Sequence, residues 1–282
     1  MDISINGQAA DITLESERTI GEVLAGLENW LGDSGFRLKG LEIDGETVGS
    51  DAVAAAFERD LGGIEALDIT VCSRSDLTLD ALCEARDYLA ALGDTESAER
   101  SRVTGLWEQS AAASFLATEN PALFQDIDSA LRGEGAEGCS RAARILPLVD
   151  DRIREIAAPA EEFSRMEGLV SLITQRLEEL PLDIQTGKDG RAAETVSLFT
   201  GVTEKLFRIF FLLQAKDNAV SGMCIETIPV YDFLGEFGSA LKELLAAYQS
   251  KDVVLVGDLA EYELAPRLRS FYAALGAGLT EY

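Results

Sequence analysis

Segments in which apolar residues recur at every second position are confined to the first 75 residues, and spacing of three or four takes over afterwards. That switch confines paired strands to the start of the chain and commits the remainder to helices. Ile3 and Ile5 alternate with Asp2 and Ser4, and Asn6-Gly7 follows as a two-residue hairpin signal. Ile12 and Leu14 then alternate with Asp11, Thr13 and Glu15, which predicts the returning strand. Thr19 with Glu22 reads as a capping box, and Ile20, Val23, Leu24, Leu27, Trp30 and Leu31 form one helical stripe. Leu41 and Ile43 alternate with Glu42 and Asp44, and Asp44-Gly45 marks a second tight turn before Val48. Phe36 and Leu38 have the opposite parity, which predicts a bulge near Gly40. A short helix is expected over 51–60, and Leu67, Ile69 and Val71 form the last strand.

The order is hairpin, helix, strand, short strand, short helix, strand. With Arg37-Leu-Lys-Gly-Leu-Glu-Ile-Asp-Gly-Glu-Thr-Val48 and Leu67-Asp-Ile-Thr-Val71, it resembles the ubiquitin-like β-grasp family. The resemblance covers residues 1–75 and implies a small recognition domain. Ubiquitin itself ends in a free diglycine tail, whereas here Cys72-Ser-Arg-Ser75 runs on into the rest of the chain, so conjugation through a tail is not implied. The apolar patch that ubiquitin presents on its open sheet face is replaced at the matching positions by Glu42, Asp68 and Thr70.

No strand alternation follows Ser75. Candidate helices cover 77–92, 97–117, 121–132, 137–157, 159–180, 190–217, 229–249 and 252–276. Pro121, Pro159 and Pro229 sit in first turns, where a missing N–H is harmless. Pro181 is read as following a helix end, and Pro147 is expected to kink or split its helix. Residues 181–191, with Pro181, Gly187 and Gly190, read as a loop. In helix 190–217 the residues Val196, Phe199, Val202, Leu206, Ile209, Phe210 and Leu213 form a stripe that Phe207, Phe211 and Leu212 widen. Such a helix is central in a bundle, and it covers a dimer seam as readily as a monomer core, so a homo-oligomer stays open. The expected fold is α+β, with a ubiquitin-like β-grasp domain at 1–75 and an all-α helical bundle at 76–282.

Histidine is absent from all 282 residues. That excludes Ser-His-Asp and Cys-His catalysis and every histidine-ligated metal site. There is no Walker A loop, no Gly-x-Gly-x-x-Gly after a strand and no Gly-x-Ser-x-Gly. The four cysteines, Cys72, Cys83, Cys139 and Cys224, are too widely spaced for a zinc site or a disulfide framework and read as buried thiols in a reducing compartment. With 24 basic and 50 acidic residues the net charge is −26, which opposes nucleic acid and anionic lipid. The strongest apolar run, Leu206–Leu213, holds Arg208 and falls far short of the roughly 20 residues that span a bilayer. No signal peptide is evident at the first residues, and a cytoplasmic protein is expected.

The first 75 residues carry 15 acids and 5 bases. Strand alternation turns Asp2, Asp11, Glu15, Glu42, Asp68 and Thr70 outward, so the expected site is an acidic sheet face that docks a basic protein partner. The expected function is a non-enzymatic adaptor or scaffold without a cofactor. The alternative is a carboxylate-based metal or ligand site, or an enzyme, in the helical domain. Its candidates are Asp258, Glu261 and Glu263, with Asp252 and Arg267 nearby, since Mg²⁺ and Ca²⁺ take oxygen ligands.

Overall fold

Asn6-Gly7 and Asp44-Gly45 take positive φ at both positions, 51° and 73° in the first pair, 54° and 83° in the second. This is type I′ geometry, whose twist suits antiparallel strands. The structure is a computed structural model that describes residues 1–14, 16–33, 35–49, 52–92, 97–133, 135–216 and 222–280. Its first turn joins β1 (Asp2–Ile5) to β2 (Gln8–Ala9), and its second joins β3 (Phe36–Ile43) to β4 (Glu46–Thr47). With β5 (Ala66–Ser73) these form one sheet in the order β2-β1-β5-β3-β4. The β1–β5 pair is parallel and the other pairs are antiparallel.

Helix α1 (Ile20–Asp33) covers one face of this sheet. Its Ile20, Val23, Leu24, Leu27 and Leu31 are buried with Ile3, Leu41, Ile43, Leu67 and Ile69. Trp30, expected in the stripe, is 60% exposed. The register shifts between Leu38 and Gly40, which is the bulge that the parity change requires. The returning strand expected over 12–14 is only the two-residue β2. The Ile12 amide turns back to the Ala10 carbonyl at 3.0 Å, and Ile12 and Leu14 pack on the core from outside the sheet. Helix α2 (Val53–Phe57) and a 3₁₀ turn at Leu61–Gly63 lead into β5.

Strand gives way to helix at Ser73. Its hydroxyl accepts from the Asp76 amide at 3.1 Å and the Asp76 carboxylate accepts from the Ser73 amide at 3.1 Å, a closed capping box. Helix α3 (Arg74–Ala91) starts there, followed by α4 (Ser97–Glu108), α5 (Ala111–Glu119), α6 (Pro121–Arg132) and α7 (Gly135–Ala157). The helix expected over 97–117 is split because the Ser110 hydroxyl caps Ala113 at 3.0 Å and starts a new helix. The chain groups into two compact units, Met1–Val149 and Asp150–Tyr282. Helices α3 to α6 and the first part of α7 therefore belong with the sheet. Pro147 lies inside α7, which continues through it.

The second unit contains α8 (Pro159–Arg165), α9 (Glu167–Gln185), α10 (Asp189–Lys216), α11 (Val230–Ser250), α12 (Val253–Asp258), a π-helical stretch at Leu259–Leu264 and α13 (Ala265–Thr280). Phe199, Leu206, Ile209 and Phe210 of α10 are fully buried at its centre, and the Phe207 ring meets Phe237 and Phe271 edge-on at 5.6 and 5.5 Å. The expected loop over 181–191 shrinks to Thr186, Gly187 and Lys188, because α9 continues through Pro181. Gly257 gives that ring room: a Cβ on it would lie 3.1 Å from Pro181 Cβ and Cγ. The π-helical stretch ends two residues before Pro266, whose ring and missing N–H disturb a regular α ladder. One hairpin escaped the periodicity. Strands β6 (Cys224–Ile225) and β7 (Ile228–Pro229) pair across Glu226 and Thr227, with φ of 51° and 76°. Two-residue strands leave no alternation to read, and Glu-Thr is not a recognisable I′ turn.

Candidate functional site

The outer face of the first sheet carries a row of polar side chains set by strand register. Ser4 on β1 pairs with Asp68 on β5, Asp68 with Glu42 on β3, and Glu42 with Thr47 on β4. Two carboxylates therefore stand directly opposite each other in the antiparallel β3–β5 pair. Like charges so placed are destabilising, by about 0.2–1 kcal/mol. Their partners are neutral donors. The Ser4 hydroxyl and the Gly7 amide (3.0 Å) donate to Asp68 Oδ1, and the Thr47 hydroxyl donates to Glu42 Oε1 at 3.2 Å. Among the described residues no lysine or arginine pairs with either acid.

Asp2 lies exposed on the same face of β1, and Thr70 is half-buried opposite Gly40. Beyond Thr70 the face is closed. Lys39 Nζ reaches Asp80 of α3 at 2.6 Å, and that hydrogen bond raises the lysine above its ordinary range. Burial beside this pair pushes the Cys72 thiol up. Asp11 is exposed but lies past β2, off the sheet, because the second strand ends at Ala9. Glu15 lies outside the described residues. Asp2, Glu42, Asp68 and Thr70 thus share the sheet face, and Asp11 does not join them.

The second group of candidates does not converge. Asp252 is occupied as the N-cap of α12, accepting from the Leu255 amide at 3.1 Å. Glu263 is held by Arg267 at 2.9 Å, and Arg267 also binds Glu236 at 3.0 Å. The π-helical stretch changes the turn on which Asp258 and Glu261 were expected to align, since its repeat is wider than three to four residues. Among the described residues no three His, Cys, Asp or Glu side chains are placed to hold a metal ion together.

Sequence reasoning missed two buried charge clusters. Glu155 on α7 is fully buried. Its carboxylate accepts from Arg208 Nε and Nη2 at 2.9 and 2.8 Å and from Arg152 Nη1 at 2.7 Å. Burial pushes this carboxyl up to about 7, against the downward pull of Arg152 and Lys205. Beside it, Lys205 Nζ bridges Asp151 and Glu162, both at 2.7 Å. Burial opposes the charge on these two acids, yet the Lys205 ammonium, helped by Arg154 and Arg165, holds both below the usual carboxylate range. The second cluster is Arg100, 8% exposed. It donates to the carbonyls of Gly133 (2.9 Å) and Leu92 (3.2 Å) and to Cys139 Sγ (2.9 Å). Long charged side chains at helical spacing look the same in sequence whether exposed or buried, so no periodic signal reveals either cluster.

Residues 1–73 match a family model described as the TP0873 N-terminal domain, which ends where β5 ends. Residues 161–274 match a second, described as a domain of unknown function (DUF8042). The chain is similar to an uncharacterized protein of Treponema pallidum (strain Nichols), 34% identical over 96 residues, which are 34% of this chain and 48% of that protein. The chain thus matches about half the length of that curated relative. No solved structure matches the chain.

Proposed function

We propose that this chain is a non-enzymatic interaction protein, an adaptor or scaffold, whose first sheet docks a basic protein surface on its outer face. The observation that carries this reading is the Glu42–Asp68 opposition: two acids aligned across neighbouring strands, each with neutral donors only. A cationic side chain laid between them would relieve the repulsion that the free sheet bears. The excess of 15 acids over 5 bases in residues 1–75 extends the attraction beyond the row itself. On this reading the domain is ubiquitin-like in architecture but presents acids where ubiquitin presents apolar residues. We place the protein in the cytoplasm. Among the described residues no helix is long and apolar enough to cross a membrane.

The test is cross-linking and affinity capture from the native cell extract, comparing wild type with a Glu42→Lys, Asp68→Lys variant shown to be folded. A partner with a basic surface that is lost in the variant, and released from wild type by salt, supports the reading. A partner retained by the variant moves recognition elsewhere and overturns the assignment of this face.

A further inference from the structure

A cleft of about 340 Å³ opens in the unit Asp150–Tyr282, where the end of α9, the start of α10, the end of α11 and α12 come together. Ala192 and Val256, each 1% exposed, line it with half-buried Ile184, Val253 and Tyr248. Two charged residues complete the lining, Asp189 at the start of α10 and Lys251 just past α11. They have opposite sign, both are exposed, and neither forms an ion pair among the described residues. Their charged neighbours are all engaged. Lys188 binds Asp183 at 3.2 Å, Arg191 binds Asp183 at 3.1 Å and also Glu179, and Arg176 binds Glu194 at 3.0 Å.

Lys251 occupies its position against local preference. It closes α11 in the left-handed conformation, with φ of 58° and its amide donating to the Ala247 and Tyr248 carbonyls. Glycine takes that conformation without steric cost and is the usual residue there. The sequence has instead kept a charged side chain at a residue that lines the cleft and forms no ion pair among the described residues.

We propose that this cleft binds a small amphipathic zwitterion, a free amino acid with an apolar side chain. Its carboxylate meets Lys251, its ammonium meets Asp189, and its side chain covers the apolar lining. The volume lies at the small end of the roughly 300–1,000 Å³ typical of ligand clefts. One charge of each sign selects against the other small-ligand classes. A fatty acyl chain leaves Asp189 unanswered, a nucleotide finds a single cation and a repelling carboxylate, and an internal peptide segment carries neither terminal charge.

The test uses the full chain, with calorimetric titration and thermal unfolding against three probes. L-leucine has both charges and the side chain, N-acetyl-L-leucine amide has the side chain alone, and glycine has the charges alone. Leucine is expected to bind and to raise the unfolding temperature, and each of the other two to bind at least tenfold more weakly. Lys251→Gly is expected to unfold at a higher temperature than wild type while losing leucine binding at least tenfold. That gain in stability excludes misfolding as the cause. Asp189→Asn should bring leucine close in affinity to N-acetyl-L-leucine, a fourth probe that keeps the carboxylate and lacks the ammonium. The proposal is overturned by any of three results: no response to leucine, phenylalanine or methionine up to millimolar concentration; equal binding of the blocked amide to wild type; or wild-type leucine affinity in Lys251→Gly.

Discussion

Arg100 is a buried cation that forms no ion pair among the described residues, and its replacement is the sharpest test of how the first helices are held. Its guanidinium lies between two helix ends: Leu92 is the C-cap of α3 and Gly133 the C-cap of α6. Each C-terminus concentrates partial negative charge on unpaired carbonyls, an interaction that reaches about 2 kcal/mol with a cation in partly buried geometry. Hydrogen bonds to charged groups contribute roughly 1.5–3 kcal/mol each after desolvation. Arg100→Met keeps much of the apolar stem and leaves both carbonyls without their donor. The expected loss is about 3 kcal/mol, since partial rehydration of the carbonyls offsets part of two such bonds. With a urea slope of about 2 kcal/mol/M the midpoint moves down by about 1.5 M. Trp107 makes the assay local. It is fully buried among α4, α5 and α6, while Trp30, the other tryptophan, is 60% exposed. In a Trp30→Phe background, Trp107 fluorescence reports unfolding of this part of the chain. Arg100→Lys should fall between, because an ammonium can serve one helix end but lacks the fork that serves two. A shift below about 0.5 M for Arg100→Met would refute the account, since it would make both contacts worth less than one ordinary hydrogen bond.

The Glu155 carboxyl, raised to about 7 from an ordinary 4.5, binds its proton more tightly in the folded chain. Its contribution is therefore complete below pH 4.5 and is lost as pH rises through 7, up to about 3 kcal/mol in all. No histidine competes in this window, so Glu155→Gln should flatten the change in urea midpoint between pH 5 and 8. Asp151 and Glu162 run the other way: their lowered carboxyls stabilise the fold above the ordinary carboxylate range and lose that effect as acid protonates them. Lys205→Met leaves Asp151 to Arg154 and Glu162 to Arg165, and losing the shared ammonium should cost about 1.5–3 kcal/mol in chemical denaturation at neutral pH. Thr227→Gly relieves a β-branched residue at positive φ while keeping the Glu226–Ser270 contact, and should stabilise by about 1 kcal/mol, read as a higher melting temperature. Glu42→Gln with Asp68→Asn should add about 0.5–1 kcal/mol to the same measurement by removing the opposed charges.

The first sheet was legible because each of its devices is local. Asn6-Gly7 and Asp44-Gly45 demand particular dihedrals, and the parity change before Gly40 demands a bulge. A side chain's outward direction follows from its strand position, so the placement of Glu42 and Asp68 on one face was readable. Their register was not, because it depends on which residues the bulge skips. Asp11 was misplaced for a related reason: alternation at Ile12 and Leu14 reports apolar packing, which a non-strand segment lying on the core satisfies equally well. In the helical part, proline misled at Pro181. Its missing N–H predicts a stop, but α9 runs on through it, and its ring packs in the space left by Gly257, far along the chain. The cleft residues Asp189 and Lys251 gave no signal because lone charges near helix ends are ordinary in sequence. What distinguishes them is that neither forms an ion pair among the described residues while both line one cleft.

Most of this chain agrees with its own local rules, so the few disagreements are informative. The sheet opposes two acids where any neutral pair would be more stable, and α11 ends on a lysine where glycine would be unstrained. The strained Glu226–Thr227 turn differs from both, because Glu226 is tied to the Ser270 hydroxyl of α13 and so has a structural occupation. Among the described residues Glu42, Asp68 and Lys251 have no partner of opposite charge that would account for them. If stability alone had shaped these positions, the neutral or glycine substitutions would improve the protein at no loss. The two proposed interactions require the opposite pattern, in which each stabilising replacement weakens binding at its own surface and leaves the other unaffected.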